Sequence, residues 1–373
     1  MTKPVRYHEG KFPPKNTDLD WTRLLPLIGP ANAAVARYEG VLHGIPNAQV
    51  LLAPLTSQEA VLSSKIEGTQ ATLGEVLEFE AAEDTATGEK RNDIQEVLNY
   101  RKAMWHAIEA MKTLPLSQRV IRRTHEVLLD GVRGESKTPG EYRRTANWIG
   151  AVGCAMEEAR FVPPGADRVA DLMSAWEKYL HGDALDRLVQ LAILHAEFES
   201  IHPFLDGNGR IGRLLVPLFL VDKGLLNSPD FYISAYLEAR REEYCDRLLA
   251  VSRDGDWTGW CAFFLKALTA QANDNVAKAR AILDLYEVRK DWIVEKTNSQ
   301  YAVRALDWFF GRPVFKTSDF VNSVEIPKAT AERIVRVAKE EGLFYELRKR
   351  AGRRPAILVF PELLNIAEGK MVF

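Results

Sequence analysis

Residues 202–213, His-Pro-Phe-Leu-Asp-Gly-Asn-Gly-Arg-Ile-Gly-Arg, place an imidazole, a carboxylate, an amide between glycines and two guanidiniums within one short run. Each type meets one need of nucleoside triphosphate chemistry. An imidazole with an unperturbed pKa of roughly 6.5 can accept a hydroxyl proton near neutrality, which points to His202 as a general base. Asp206 is a hard oxygen ligand of the kind Mg²⁺ takes beside phosphate oxygens. Gly207, Asn208 and Gly209 can offer backbone N–H groups with no bulky side chain in the way. Arg210 and Arg213 are three apart, so on a helix they share a face and can grip phosphate as a fork. Phe204 is expected to turn inward and hold the loop. The apolar run 214–221 follows at once and predicts a buried helix. The glycines would then sit where a loop enters a helix, where free N–H groups and the positive end of the dipole attract phosphate.

The same run also fits G-x-G-x-x-G from Gly207 to Gly212. It follows a predicted helix and lacks a surrounding βαβ pattern, so it does not read as a dinucleotide fingerprint. Taken singly, these residues suit a plain turn with solvated arginines; taken together, the spacing favours function.

Several predicted elements must position this loop. Helical patterning starts near Asp20, with a short helix over 31–42, after a Pro-, Lys- and Asp-rich arm over 1–20. A helix from Thr56 ends at Glu67-Gly68, with Gly68 as the residue just past the end. Helices follow over 72–82, 93–113 and 117–130, the last with Ser117 as N-cap. Residues 131–165 are rich in Gly and Pro, and the β-prone pieces 147–152 and 160–162 predict a flap-like hairpin on a helical body. Helices over 166–181 and 186–200 lead to His202, and helices over 234–251 and 257–285 come after the loop. His195 and Glu197 precede the loop; one turn separates His195 from Glu199, no metal triad is evident, and they are read as structural. Beyond a change of composition at 295–300, three helices and two β-prone pieces, 343–347 and 356–360, flank the basic turn 348–354. That order suggests a winged helix-turn-helix of about 75 residues. Its basic wing suits phosphate. Its candidate recognition helix mixes Arg333 and Arg336 with Glu332, Glu340 and Glu341, so DNA binding is not favoured over dimerisation or target docking.

With 373 residues the length suggests two or three domains and an ample core. The boundaries read as 1–115, 116–295 and 296–373. A net charge of −2 argues against a general nucleic-acid coat. Cys154, Cys245 and Cys261 show no metal or disulfide spacing and read as reduced thiols. The polar N-terminus and the lack of a long apolar run predict a cytoplasmic protein without a membrane span.

The motif resembles the signature of the Fic (filamentation induced by cAMP) family, His-x-Phe-x-[Asp/Glu]-Gly-Asn-Gly-Arg-x-x-Arg, and matches every fixed position. Residues 51–73, 140–164 and 238–257 resemble the family's N-terminal region, flap and closing helices. The resemblance implies a mainly α fold, a helical bundle with a β-hairpin flap. It implies transfer of AMP from ATP to a Ser, Thr or Tyr hydroxyl of a target protein, itself included, with removal of AMP as a second direction. His202 would be the base and Asp206 the Mg²⁺ ligand. Gly207, Asn208 and Gly209 would form an anion hole, and Arg210, Gly212 and Arg213 would complete the phosphate site. Tyr244 resembles an aromatic position near the adenine, although an aromatic at helical spacing equally suits a core. Ile149, Gly150, Ala151 and Val152 would pair with the target segment as an added strand. Ser63-x-x-x-Glu67-Gly68 matches the family's inhibitory motif, in which the glutamate pairs with the second motif arginine, here Arg213. Residues 64–67 also fit a capping box, but Gly68 and the helical pattern before Glu67 favour a helix end. A homodimer is a further expectation. The alternative reading is a DNA-binding regulator whose Fic part senses nucleotide.

Overall fold

The computed structural model describes residues 3–82, 86–151, 153–348 and 356–372. The fold is mainly α, with sixteen α-helices and five short strands among the described residues. The N-terminal half comprises β1 (Val5–Arg6), α1 (Trp21–His43), α2 (Ala48–Leu51), α3 (Ala53–Ile66), α4 (Leu73–Ala82), α5 (Gly88–Met111), α6 (Gln118–Leu128), β2 (Phe161–Val162) and α7 (Val169–His181). There follow α8 (Arg187–Ile201), α9 (Asn208–Asp222), α10 (Ser234–Ala239), α11 (Arg241–Asp254), α12 (Trp257–Thr297), α13 (Ala302–Gly311), β3 (Val314–Lys316), α14 (Thr317–Ser323), α15 (Lys328–Glu340), β4 (Tyr345–Arg348), β5 (Ile357–Val359) and α16 (Pro361–Glu368). They fall into two compact units: 1–39, 62–68 and 99–273 in one, 40–61, 69–98 and 274–373 in the other.

In the first unit α8 and α9 form the centre. α8 is apolar on nearly every side, and such a helix is stable only when surrounded; all its residues from Leu188 to Ile201 except Glu199 are buried. Asp186 starts it, its carboxylate accepting from the N–H groups of Leu188 and Val189 at 2.9 Å each. Two indoles donate to its carbonyls, Trp176 to Leu194 at 2.8 Å and Trp260 to Ala192 at 2.6 Å. The predicted buried helix over 214–221 is the body of α9, which carries Pro217.

The arm before α1 is not a free extension. β1 pairs in parallel with β2, Val5 opposite Phe161 and Arg6 opposite Val162. Glu197 explains the attachment. It is a fully buried carboxylate on α8, and a buried charge needs hydrogen-bond partners. The Tyr7 hydroxyl donates to its Oε1 at 2.6 Å, and His8 Nε2 lies 2.9 Å from its Oε2. His8 Nδ1 in turn meets Ser252 Oγ at 2.8 Å. Tyr7→Phe removes one donor from this carboxylate and is expected to lower stability by about 1–3 kcal/mol in urea unfolding.

Other departures from the sequence reading are local. α1 begins at Trp21, where helical patterning was expected to start, but runs unbroken through Pro26 and Pro30 to include the short helix expected over 31–42, its start tied by Asp20 Oδ1 accepting from the N–H groups of Thr22 and Arg23. Ser117 occupies the N-cap of α6 without a side-chain capping bond. The helix expected over 234–251 is two helices broken at Arg240. The flap is thinner than a hairpin ladder: one antiparallel bridge joins Ile149 to Phe161, and β2 takes β1 as its paired strand. Pro163 and Pro164, which lack N–H donors, end β2 there.

In the second unit the sheet order is β3-β5-β4, antiparallel throughout. β3 and α16 were not expected from sequence. Phe309, Phe315, Phe320 and Phe344 supply its aromatic core, with Phe309 stacked on Phe315 at 5.3 Å. Of the basic turn 348–354, only Arg348 lies among the described residues. No helix of the described residues is long and apolar enough to cross a membrane.

Candidate functional site

His202 caps α8 in the left-handed region, φ 50°, and so leaves the helix axis just before α9 begins. Its Nδ1 lies 3.3 Å from the Glu199 carbonyl. A carbonyl only accepts, so Nδ1 carries the proton and the Nε2 lone pair remains available. Burial lowers its pKa to about 4, which keeps the ring neutral across the physiological range.

Phe204 turns inward as expected, fully buried and stacked on His125 at 3.7 Å. His125 carries the loop: Nε2 donates to the Asp206 carbonyl at 2.9 Å, and Nδ1 accepts from the Gly140 N–H at 2.9 Å. Arg143 carries it from the other side. Its Nε donates to the His202 carbonyl at 2.9 Å and Nη2 to the Pro164 carbonyl at 2.6 Å. The Asn208 side chain closes the loop on itself, Oδ1 accepting from Phe204 N–H at 2.8 Å and Nδ2 donating to Phe204 C=O at 2.9 Å. Its contribution to an anion site is therefore its backbone N–H, not its amide side chain. The first intrahelical bond of this region runs from Ile211 N–H to Gly207 C=O at 3.0 Å. The N–H groups of Asn208, Gly209 and Arg210 precede it and point out of the helix start, as N-terminal donors do. Asp206 Oδ1 accepts from Gly207 N–H at 2.5 Å and lies 3.4 Å from Arg210 Nη2.

Arg213 is 1% exposed and held from one side by the end of α3. Its Nε donates to Ser63 Oγ at 2.9 Å, and Nη2 donates to Ser63 C=O at 2.8 Å and to Glu67 Oε1 at 2.6 Å. The contact is not a carboxylate fork, because Ser63 supplies the other acceptors. Burial disfavours the charge on both partners, yet Glu67 is held below the usual carboxylate range by the guanidinium. Glu67 follows the last turn of α3, its N–H bonded to Ser64 C=O, with Gly68 at φ 106°; this is a helix end and not a capping box. Lys65 pairs with Glu238 at 2.9 Å and Arg241 Nε donates to Ile66 C=O at 3.0 Å, so α10 and α11 fix that end.

Two glycines of α9 make room for two carboxylates. A Cβ at Gly209 would overlap Glu67 Oε1 and lie 3.0 Å from Arg213 Nη1. A Cβ at Gly212 would overlap Glu199 Oε1. Gly212, assigned to the phosphate set from sequence, thus faces Glu199 instead. Glu199, read from sequence as structural beside His195, lies outside the motif; its spacing of three from His202 was the available signal. Burial raises its pKa to about 7, against the opposing charge of Arg213. Gly212→Ala is expected to cost about 1–3 kcal/mol through this overlap. In a Glu199→Ala background the same change should stabilise by about 0.5–1 kcal/mol, the ordinary helix preference for alanine, as read by paired denaturation curves.

Tyr244 belongs to the core. Its hydroxyl lies 2.9 Å from His195 Nε2, and the His195 Nδ1 meets Gly212 C=O at 3.0 Å. Its neighbour Cys245 instead lines a cavity of about 100 Å³ together with Ile149, Phe161, Glu199, Leu248 and Leu249. Ile149, Gly150 and Ala151 are exposed on the flap; Val152 lies outside the described residues. Among the described residues no group of three or more His, Cys, Asp or Glu side chains is arranged to hold a metal.

Residues 25–109 match the model of the Fic/DOC family N-terminal region and residues 115–220 that of the Fic/DOC family, together more than half of the chain. The chain belongs to the Fic/DOC family. The matched segments contain Ser63, Glu67 and the whole of 202–213. Over 86 residues it is 42% identical to a probable protein adenylyltransferase of Aquifex aeolicus, covering 22% of this chain and 27% of that one. Over 169 residues it is 31% identical to a protein adenylyltransferase Fic of Drosophila grimshawi, covering 43% and 32%. The chain thus spans about a third of the length of the curated relatives it matches. Its fold is that of a Fic family protein from Desulfovibrio desulfuricans G20, at a TM-score of 0.58 and 22% identity over 91% of this chain and 95% of that one. A Fic-domain signalling protein from Bacteroides thetaiotaomicron has a TM-score of 0.56 at 18% identity, over 68% and 96%.

Proposed function

We propose that this Fic chain transfers AMP from ATP to a hydroxyl of a protein. The observation that carries the reading is a neutral His202 with its Nε2 lone pair available, one loop ahead of a helix start that aligns backbone donors with Arg210 and Arg213. The relatives named as protein adenylyltransferases support it.

In this reading the target hydroxyl oxygen attacks the α-phosphorus, and the bond from that phosphorus to the bridging oxygen of the β-phosphate breaks. Pyrophosphate leaves with the bond's electron pair. His202 Nε2 takes the hydroxyl proton. A base with a pKa near 4 is weak, but the negative charge of an arriving polyphosphate raises an imidazole pKa toward neutrality. The N–H groups at the start of α9 hold phosphate oxygens, and Arg210 and Arg213 neutralise the outer phosphates. Such transfer depends mainly on positioning and charge. The apolar cavity beside Ile149 and Leu248 takes the base.

The donor set fits Mg²⁺ as a partner of the nucleotide. One hard, half-exposed carboxylate, Asp206, stands at the phosphate end, its Oδ1 engaged by Gly207 and Arg210. Mg²⁺ bound there with phosphate oxygens would supply charge neutralisation.

Glu67 regulates this site by occupying the Arg213 guanidinium, so that ATP cannot place its outer phosphate productively. The test uses ATP labelled in turn on the α- and the γ-phosphate, with Mg²⁺ and a cell lysate. Protein-bound label from the α-position alone is the expected result; label from the γ-position would replace AMP transfer with phosphorylation.

A further inference from the structure

We propose that Glu199 reads the nucleobase, its carboxyl donating one hydrogen bond to an adenine and accepting another from it. This rests on the nucleotide reading above.

The cavity beside the flap is walled by Ile149, Phe161, Leu248 and Leu249. Its volume of about 100 Å³ is several times the roughly 10–15 Å³ that one water needs, so it suits a planar ring. Apolar walls hold a ring but do not choose between rings. Glu199 lines this wall, and its Oε1, turned against Gly212 and closed off from solvent, has no hydrogen-bond partner. A buried polar atom without a partner is costly, and a carboxyl that gives up no hydrogen bond when it turns can meet a partner that arrives. Gly212 is part of the same arrangement, since any side chain there would displace the carboxyl.

The groups around Glu199 hold it close to neutral pH. Burial pushes its pKa up to about 7; Arg213 on α9 opposes this and Glu67 after α3 adds to it. The other titratable groups at the cavity are Arg160, which is paired with Asp246, and Cys245, whose thiol burial pushes up; Tyr244 lies behind on α11, also pushed up by burial. A protonated carboxyl presents an O–H donor beside a C=O acceptor. Adenine presents the complement, an N6 amino donor beside the N7 acceptor, whereas guanine presents two acceptors, O6 and N7. The protonated acid therefore makes two bonds to adenine and one to guanine, with its carbonyl left facing a lone pair. An ionised carboxylate loses the bond to N7.

The test is equilibrium binding of ATP and of GTP, with Mg²⁺, to the full chain carrying Glu67→Gly, so that the phosphate site is open. In that background Glu199→Ala is expected to reduce the preference for ATP over GTP roughly tenfold or more, while Glu199→Gln, which keeps a donor beside an acceptor, retains it. The affinity for ATP should fall as the pH rises through the Glu199 pKa with Glu199 present and stay level with Glu199→Gln, because only the acid loses its donor on deprotonation. A melting temperature close to the parent's shows that each variant is folded. If both variants keep the parental ratio and the parental pH dependence of ATP binding while ATP still binds, Glu199 does not read the base and AMP transfer stands. If the Glu67→Gly chain binds neither triphosphate, both this inference and the nucleotide reading fall.

Discussion

Glu67→Gly is expected to raise the incorporation of AMP from α-labelled ATP by about 10- to 100-fold. The size follows from what is removed: a hydrogen bond to a charged group contributes about 1.5–3 kcal/mol, with solvent screening at the 38% exposed Glu67 side chain favouring the low end, and each 1.4 kcal/mol is tenfold. Glu67 Oε1 bonds Arg213 Nη2 at 2.6 Å, and that guanidinium is 1% exposed. Nothing else need move, because Ser63 still holds Nε and shares Nη2. Arg213 would stay aimed while one of its directions opens to an oxygen of ATP. The Glu67 carboxyl is held below the ordinary range. The pair is therefore intact above the ordinary carboxylate pKa of roughly 4.3 and is lost only as the pH falls through the depressed value, so the activation should be the same from about pH 6 to 8. Equal labelling by the parent and by Glu67→Gly would reject the inhibitory role while leaving the transferase reading to its own test.

His202→Asn in the Glu67→Gly background should remove that labelling by about 10²–10⁴-fold, the usual contribution of a positioned general base. Asparagine is the informative replacement. His202 sits at φ 50°, a region that asparagine adopts more readily than alanine, so the helix end is retained while the base is lost. ATP binding measured by calorimetry should be unchanged and the melting temperature close to the parent's. Retained labelling would move the base elsewhere, and lost ATP binding would make His202 part of the binding site.

The chemistry-bearing run was legible in the sequence because its residues are local. His202, Asp206, Arg210 and the glycines lie within one loop and one helix turn, and the buried helix that follows them was visible as an apolar run. The approach of Ser63 and Glu67 to Arg213 was legible only through a family motif, since those residues are 150 and 146 positions away. What escaped was longer-range support without a local pattern. Glu199 is one of two acids on α8, and only the two Cβ-free positions of α9 reveal which carboxylates they admit. Arg143 reads in sequence as one more basic residue in a Gly-rich stretch; buried, it grips two carbonyls at the end of α8, that of Pro164 after β2 and one in its own loop. The arm looked extended because its few residues lack helical periodicity, and extended chain is what a strand partner for β2 must be. Tyr244 illustrates the converse: its ring suits a base site by type, but an aromatic at helical spacing turned to the core and left its neighbour at the cavity.

The arm also sets a timetable for synthesis. His8 meets Ser252, 244 positions further along the chain, and Tyr7 meets Glu197, 190 positions along. At a ribosomal rate of about 5–20 residues per second, His8 waits roughly 10–50 s before its partner exists. Until then β1 can pair with β2 and Tyr7 and His8 can reach Glu197, all of them already made, but His8 lacks the Ser252 hydroxyl behind it. A nascent chain that already carries the complete 202–213 loop therefore holds its arm without the α11 contact, which closes only once Ser252 has left the ribosome.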